Sequence, residues 1–61
     1  MENETLDEAL ERIEKHLILK TLKKTAYSQT HTAELLGIKR TTLRYKLEKY
    51  GLLNKITDVE E

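Results

Sequence analysis

The residues best suited to chemistry in this sequence are basic and polar side chains gathered between positions 39 and 49. They are Lys39, Arg40, Thr41, Thr42, Arg44, Tyr45, Lys46 and Lys49. Arginine can bond O6 and N7 of guanine in parallel, and threonine can bond base edges or touch thymine methyl groups. Lysine pairs with phosphates, which position a protein on nucleic acid without specifying sequence. These residue types therefore favour binding of a polyanion, with double-stranded DNA as the best fit.

The distribution of charge separates this segment from its flanks. The 61 residues carry 11 basic and 11 acidic side chains, a formal net charge of zero. Residues 20–51 nevertheless hold eight basic and two acidic residues, a net charge of +6, whereas residues 1–19 carry −4 and residues 52–61 carry −2. Such an asymmetry indicates a polyanionic partner for the middle of the chain alone.

Composition argues against several other classes of protein. There is no cysteine and no apolar run of the roughly 20 residues that a membrane span needs, nor a signal-peptide pattern. His16 and His31 have no convincing carboxylate partner, so no metal and no cofactor are predicted. Three short helices offer no pocket for a nucleophile and base, so no catalysis is predicted either.

A long first helix is predicted over residues 6–25. Thr5 and Glu8 have the spacing of a capping box, which marks a helix start. The apolar residues that follow form two faces in succession, far apart around the helix at about 100° per residue. The first face, here called the dimer seam, consists of Leu6, Ala9, Leu10, Ile13 and Leu17. Because so short a chain can cover only the second face, the dimer seam predicts contact with a second copy of the chain.

Two shorter helices are predicted to follow, over residues 29–36 and 39–50. Ser28 is a suitable N-cap, and Gly37 can end the first of them in the left-handed conformation without strain. Ala33 is small enough for the two helices to cross closely. These are the elements of a helix-turn-helix. The predicted fold class is therefore all-α, a long N-terminal dimerisation helix followed by a helix-turn-helix (three helices), in a homodimer.

One domain is predicted over residues 6–52. Residues 1–5 are interpreted as a linker remnant. Leu52 is the last residue expected to pack, and residues 53–61 are predicted to be a flexible tail.

The stretch "AYSQTHTAELLGIKRTTLRYKLEKYGL" closely resembles the Fis-type helix-turn-helix. That domain occurs in the nucleoid protein Fis and at the C-terminus of nitrogen-regulator-C-like, sigma-N-dependent enhancer-binding activators. The resemblance covers about residues 6–52. The matched pattern, "A-x-x-L-G-I-x-R-x-T-L-x-x-K-L-x-x-Y-G-L", is met by Ala33, Leu36, Gly37, Ile38, Arg40, Thr42, Leu43, Lys46, Leu47, Tyr50, Gly51 and Leu52. Two positions depart from the family: Tyr27-Ser28 stands where Gly-Asn is frequent, and Lys39 where Asn or Ser is commoner.

The resemblance implies a dimer joined through the first helix, with DNA read by the third. Together with the exposed face of the third helix, it predicts two sets of DNA contacts. Base readout is predicted for Lys39, Arg40, Thr41, Arg44 and Tyr45. Phosphate contacts are predicted for Ser28, Gln29, Thr30, His31, Thr42, Lys46 and Lys49.

The family's activators also carry an ATPase domain and a receiver domain, and neither a phosphate-binding "G-x-x-x-x-G-K" loop nor an acidic receiver pocket occurs here. The resemblance therefore implies the DNA-binding domain of a bacterial transcription activator. It would recognise a pseudo-palindromic upstream site in the cytoplasm, on the nucleoid, and its parent would contact RNA polymerase carrying sigma-N. The alternative that the chain is a stand-alone Fis-like protein stays open. The competing interpretation is a helical protein-interaction module whose basic face docks an acidic partner.

Overall fold

The structure, a computed structural model, describes residues 3–58. The chain forms three α-helices, α1 (Leu6–Lys24), α2 (Gln29–Leu36) and α3 (Arg40–Lys49), followed by a 3-10 turn over Leu53–Lys55. No strand occurs within residues 3–58. The prediction of an all-α fold with three helices is confirmed.

The three helices meet around a small aliphatic core. Leu22 of α1 and Leu43 and Leu47 of α3 have no exposed surface. Ala33 is buried in α2, and α2 packs on both other helices. Within the described helices, no Cα of α1 lies within 8 Å of a Cα of α3. The backbones of the first and third helices are therefore held together through α2 and the shared core.

All three helices end in the same hydrogen-bonded motif. In each, the amide of a residue two or three positions beyond the helix donates to a carbonyl five residues earlier, as in a Schellman motif. The bonds join Tyr27 N to Leu22 O (2.7 Å), Ile38 N to Ala33 O (3.0 Å) and Leu52 N to Leu47 O (2.7 Å). Because Leu22, Ala33 and Leu47 are core residues, the bond that stops each helix also returns the chain to the core.

The left-handed residue that this motif requires differs between the three helix ends. Gly37 and Gly51 adopt it with φ of 70° and 72°. After α1 the same place is taken by Ala26, at φ 56°, and Tyr27 follows at φ 67°. A side chain in this region costs roughly 1–2 kcal/mol, because its Cβ crowds the carbonyl oxygen. The turn between α1 and α2 is therefore strained, whereas the turn between α2 and α3 is not.

The chain beyond α3 folds back onto the start of α2. Ile56 is 7% exposed, and the amide of Thr57 donates to the carbonyl of Tyr27 at 2.8 Å. This differs from the predicted flexible tail, because Ile56 packs on the core and Asp58 hydrogen-bonds to the start of α2. Residues 59–61 of that predicted tail lie outside the described part of the chain.

At the other terminus, two residues of the predicted linker make contacts with α1, one of them as its N-cap. Thr5 accepts from the amide of Glu8 at 3.1 Å, and Glu8 accepts from the amide of Thr5 at 3.0 Å, which completes the capping box. Glu4 pairs with Arg12 at 3.0 Å. The first two residues of that predicted linker lie outside the described chain.

Asp58 closes the N-terminus of α2 with its carboxylate. The carboxylate accepts from the amides of Gln29 (2.7 Å) and Thr30 (3.1 Å) and from the hydroxyl of Ser28 (2.9 Å). Partial burial alone would raise the pKa of Asp58, but these hydrogen bonds outweigh it and lower the pKa from 3.8 to about 2. The positive end of the α2 dipole is thus satisfied by an acid from a distant part of the sequence.

Replacing Ala26 with glycine should stabilise the domain. The substitution removes the strain of a left-handed residue with a side chain, but glycine also has more conformational freedom in the unfolded chain. The net increase in the free energy of unfolding should therefore be up to about 1 kcal/mol. For a domain of this size that is an increase of up to roughly 4–8 °C in the thermal midpoint. The matched control is Gly37→Ala, whose new Cβ would meet nothing within 4 Å. Gly37→Ala should destabilise the domain through backbone conformation alone. An Ala26→Gly variant that is no more stable than wild type would contradict the inference that Ala26 is strained.

The Asp58 contact should make stability depend on acid pH. Because the folded pKa of about 2 lies below the ordinary value of 3.8, the contact stabilises fully above pH 4 and is lost as pH falls towards 2. Asp58→Asn should lower the free energy of unfolding at pH 7 by about 2 kcal/mol, the equivalent of that pKa difference. Urea unfolding of both proteins at pH 7 and pH 2 measures the effect. A difference that persists unchanged at pH 2 would exclude the carboxylate charge as its source.

Candidate nucleic-acid interface

The helix α3 has one buried and one exposed side. Leu43 and Leu47 face the core, whereas Tyr45, about half a turn from Leu43, is 65% exposed. Thr41 lies one turn before Tyr45 and is also exposed. Of the five residues predicted to read bases, Lys39, Arg40, Thr41 and Tyr45 are exposed and Arg44 is partly exposed. The structure thus places this predicted set on one accessible end and side of α3.

The N-terminus of α3 has a different cap from that of α2. Lys39 occupies the N-cap position, and within residues 3–58 its side chain makes no capping hydrogen bond. Its carbonyl accepts from the amide of Leu43 at 3.0 Å, so the helix itself begins normally. Amides in a first turn that lacks a side-chain cap carry the partial positive charge of the helix dipole. This end of α3 therefore favours an anion beside the base-reading candidates.

Four residues at the start of α2 are predicted to contact phosphate, and the structure places them differently. Gln29 is only 1% exposed, and its Nε2 donates to the carbonyl of Asp58 at 3.0 Å. The Gln29 side chain is therefore buried in the single chain, and its phosphate contact stays a prediction. Ser28 and Thr30 are partly exposed but bond the Asp58 carboxylate. His31 is exposed, and its amide donates to the Ser28 hydroxyl at 3.2 Å.

Two other predicted phosphate contacts turn towards α1. Lys46 pairs with Glu14, and Lys49 pairs with Glu11, each at 2.9 Å. The hydrogen bond to Glu11 raises the pKa of Lys49 above its ordinary value. These lysines lie on the α1 side of α3, whereas Thr42, also predicted to contact phosphate, is exposed. The basic character of α3 is thus partly neutralised at its C-terminal half.

The hydroxyl of Tyr50 joins the same cluster, since it donates to Glu14. That hydrogen bond, followed by the one from Lys46, holds the pKa of Glu14 below its ordinary value despite slight desolvation. The bond to Glu14 raises the pKa of Tyr50. Tyr50 is therefore half-buried, with a polar contact to α1.

The dimer seam is uncovered in the single chain. Its four large side chains remain largely in solvent: Leu6 is 74% exposed, Leu10 and Ile13 are 55% exposed, and Leu17 is 49% exposed. Ala9, the small residue of the seam, is partly buried. The seam is thus an apolar surface on the half of α1 that extends beyond the core.

Sequence reasoning missed the acids that organise these surfaces. Glu11 and Glu14 precede Ile18 and Leu22 at spacings of three and four residues, which places all four on one helical face. Since Ile18 and Leu22 are core residues, that phase could have indicated that both acids point towards α3. No local signal marked Asp58, because its partners lie about 30 residues away in the sequence.

Two classes of site find no support in the described part of the chain. No helix there is long and apolar enough to cross a membrane. Residues 3–58 also contain no group of three or more histidine, cysteine or acidic side chains arranged to hold a metal ion.

Known proteins with similar sequences share this segment. The chain is 43% identical over 47 residues to the regulatory protein AtoC of Escherichia coli, covering 77% of this chain and 10% of AtoC. It is 37% identical over 51 residues to the response regulator protein PilR of Pseudomonas aeruginosa, covering 84% of this chain and 12% of PilR. It is 38% identical over 50 residues to the DNA-binding protein Fis of Proteus mirabilis, covering 82% of this chain and 51% of Fis. No solved structure matches the chain.

The chain therefore spans about a tenth of the two regulators and about half of Fis. A family described as "Bacterial regulatory protein, Fis family" matches residues 4–50, which include all three α-helices. The chain belongs to the Fis family of bacterial regulatory proteins, and its helix-turn-helix consists of α2 and α3.

Proposed function

We propose that this chain binds double-stranded DNA sequence-specifically, as a dimer, with α3 in the major groove. The observation that carries the proposal is the exposed side of α3, where Thr41 and Tyr45 lie opposite the buried leucines within a Fis-family helix-turn-helix. A relative with 38% identity is named a DNA-binding protein, which supports the same function. Exposed polar side chains on a helix of this kind are suited to reading base edges.

The proposed contacts divide between bases and phosphates. Base readout is assigned to Lys39, Arg40, Thr41, Arg44 and Tyr45. His31 and Thr42, both exposed, are proposed to contact phosphate, together with amides at the start of α3. Ser28 and Thr30 would bind phosphate only in exchange for Asp58, and Lys46 and Lys49 only in exchange for Glu14 and Glu11.

The wider role that we propose is that of the DNA-binding domain of a bacterial transcription activator. The similarity to the regulators AtoC and PilR supports it, since their matching segments are short parts of longer proteins. In that role the dimer would hold a pseudo-palindromic upstream site on the nucleoid, in the cytoplasm. Contact with sigma-N polymerase, and any ATPase activity, would belong to the parent protein.

The second candidate function is an interaction module that docks an acidic protein partner. It is favoured by one observation, the pairing of Lys46 and Lys49 with carboxylates, which is the chemistry such docking would use. The two functions differ in their response to duplex DNA and salt.

Affinity for duplex DNA should fall at least about tenfold between 50 and 200 mM salt. Such a loss corresponds to about two or more phosphates neutralised, because each released counterion contributes a slope of about −0.9 on a log–log plot. Fluorescence anisotropy with duplexes selected from a random pool, and with an unselected duplex of equal length, measures both affinity and specificity. An interaction module would show little or no duplex binding, and a flat salt response would exclude the DNA-binding function.

The substitution Ile13→Asp should make the protein monomeric while leaving the helix-turn-helix folded. A charge in the middle of the dimer seam would lose hydration on association without gaining a partner. Sedimentation should show loss of the dimer, and affinity for a two-half-site duplex should fall sharply while that for one half-site changes little.

Leu35→Asp provides the matched control, since Leu35 is an equally apolar residue of α2, 65% exposed and outside the dimer seam. That variant should remain dimeric. A wild-type protein that is monomeric at tens of micromolar would contradict the proposed role of the seam, as would an Ile13→Asp variant with full two-half-site affinity.

A further inference from the structure

Side chains alone connect the N-terminal half of α1 with α3. Glu11 pairs with Lys49, and Glu14 pairs with Lys46, both at 2.9 Å, while the Tyr50 hydroxyl donates to Glu14. These three contacts are here called the acid–lysine bridge. Since no Cα of α1 lies within 8 Å of one of α3 in the described helices, the bridge spans a gap that backbone packing leaves open.

The position of the bridge along α1 gives it mechanical leverage. The core holds α1 from Ile18 to Leu22, and the helix then extends without core contacts towards Leu6. At 1.5 Å per residue, Leu6 lies about 18 Å from Ile18, so a tilt of ten degrees at the core would move it by about 3 Å. Glu11 lies about 10 Å out along the same arm. A contact at that distance from the pivot acts on a longer lever arm than a contact of equal stiffness in the core.

The acids and the dimer seam occupy different sides of the same arm. Glu14 and Glu11 continue the face of Ile18 and Leu22, roughly 130° around the helix from the seam defined by Leu6 and Ile13. One side of the arm therefore contacts α3 while the other remains exposed for a second copy. Side chains outside both the core and the seam thus connect this arm to α3.

We propose that Glu11 and Glu14 are positioning residues, which fix the tilt of α3 against the dimer seam and thereby the separation of the two recognition helices in the dimer. The inference rests on the proposed function, since it concerns how a dimer measures the distance between two half-sites. Half-sites must match the separation of the recognition helices, about one turn of DNA or a multiple of it. A firmly held tilt makes the dimer selective for one spacing.

The strength of the bridge is compatible with such a role. Individual exposed ion pairs contribute little, and the pair of Lys49 with Glu11 has side chains 42% and 49% exposed. Glu14, however, accepts from two donors at once, and one of them, Tyr50, is half-buried and packs against the core. Shared acceptors of this kind couple their donors. Because salt screens the exposed pairs, spacing selectivity should also weaken as ionic strength rises.

The test uses the double variant Glu11→Gln, Glu14→Gln, which keeps side-chain size and removes both charges of the bridge. A two-half-site duplex of the selected sequence is compared with duplexes carrying one base pair more or less between the half-sites. The wild type should lose affinity on either change, and in the variant that loss should shrink by roughly two- to tenfold, the range expected from breaking two exposed pairs. Single-half-site affinity should not fall.

The control is Glu34→Gln, Glu48→Gln, which removes the same charge from α2 and α3 without touching the bridge, and it should keep the wild-type spacing penalty. A charge-exchanged variant, Glu11→Lys with Lys49→Glu, re-forms one pair and should restore part of the penalty. If the Glu11→Gln, Glu14→Gln variant keeps the full penalty, the inference is overturned while the proposed function stands. If the wild type binds no duplex at all, both are overturned.

A measurement without DNA checks that the bridge exists in solution. Glu14 accepts a hydrogen bond from the Tyr50 hydroxyl, and this raises the pKa of Tyr50. The substitution Glu14→Gln should therefore lower the pH at which Tyr50 ionises, which is measured by ultraviolet absorbance. Sedimentation should show the same dimer as wild type, since the seam is untouched. An unchanged Tyr50 titration would remove the basis of the inference.

Discussion

Three leucines without exposed surface, Leu22, Leu43 and Leu47, impose the constraint on which the rest of the structure depends. So few buried aliphatic side chains cannot fix three helices and two termini by themselves, because small domains bury a low fraction of their surface. The remaining order comes from hydrogen-bonded helix ends that return the chain to those leucines. At each helix end the acceptor of the closing hydrogen bond is a core residue, so the same bond ends the helix and directs the chain back to the core.

Polar contacts made by acidic residues of the two terminal segments add to the packing of the core. The sequence places negative charge before and after a basic middle, and the structure folds both flanks back on it. Glu11 and Glu14 meet lysines of α3, and Asp58 meets the first turn of α2. Some of the opposite charges of the chain are thus paired with each other across the fold.

The fold could be predicted because its signals are local. The capping box at Thr5, the glycine at position 37 and the apolar spacing of α3 each act within a few residues, so periodicity and cap chemistry reveal them. The site was only partly predictable, because the partner of an exposed side chain depends on tertiary approach. Lys46 and Lys49 look alike as solvent or phosphate contacts until α1 is placed beside them. Gln29 looks polar and available until residues 53–58 cover it.

The return of residues 53–58 to α2 also separates two definitions of a domain. Similarity to the Fis family extends over residues 4–50, whereas packing extends to Asp58. Ile56 and Asp58 complete the core and the cap of α2 from outside the region that sequence comparison delimits. A helix-turn-helix excised at the limit of its family similarity would therefore lack these two residues and the core residue Leu52. In this chain, the packed unit is larger than the segment that family similarity delimits.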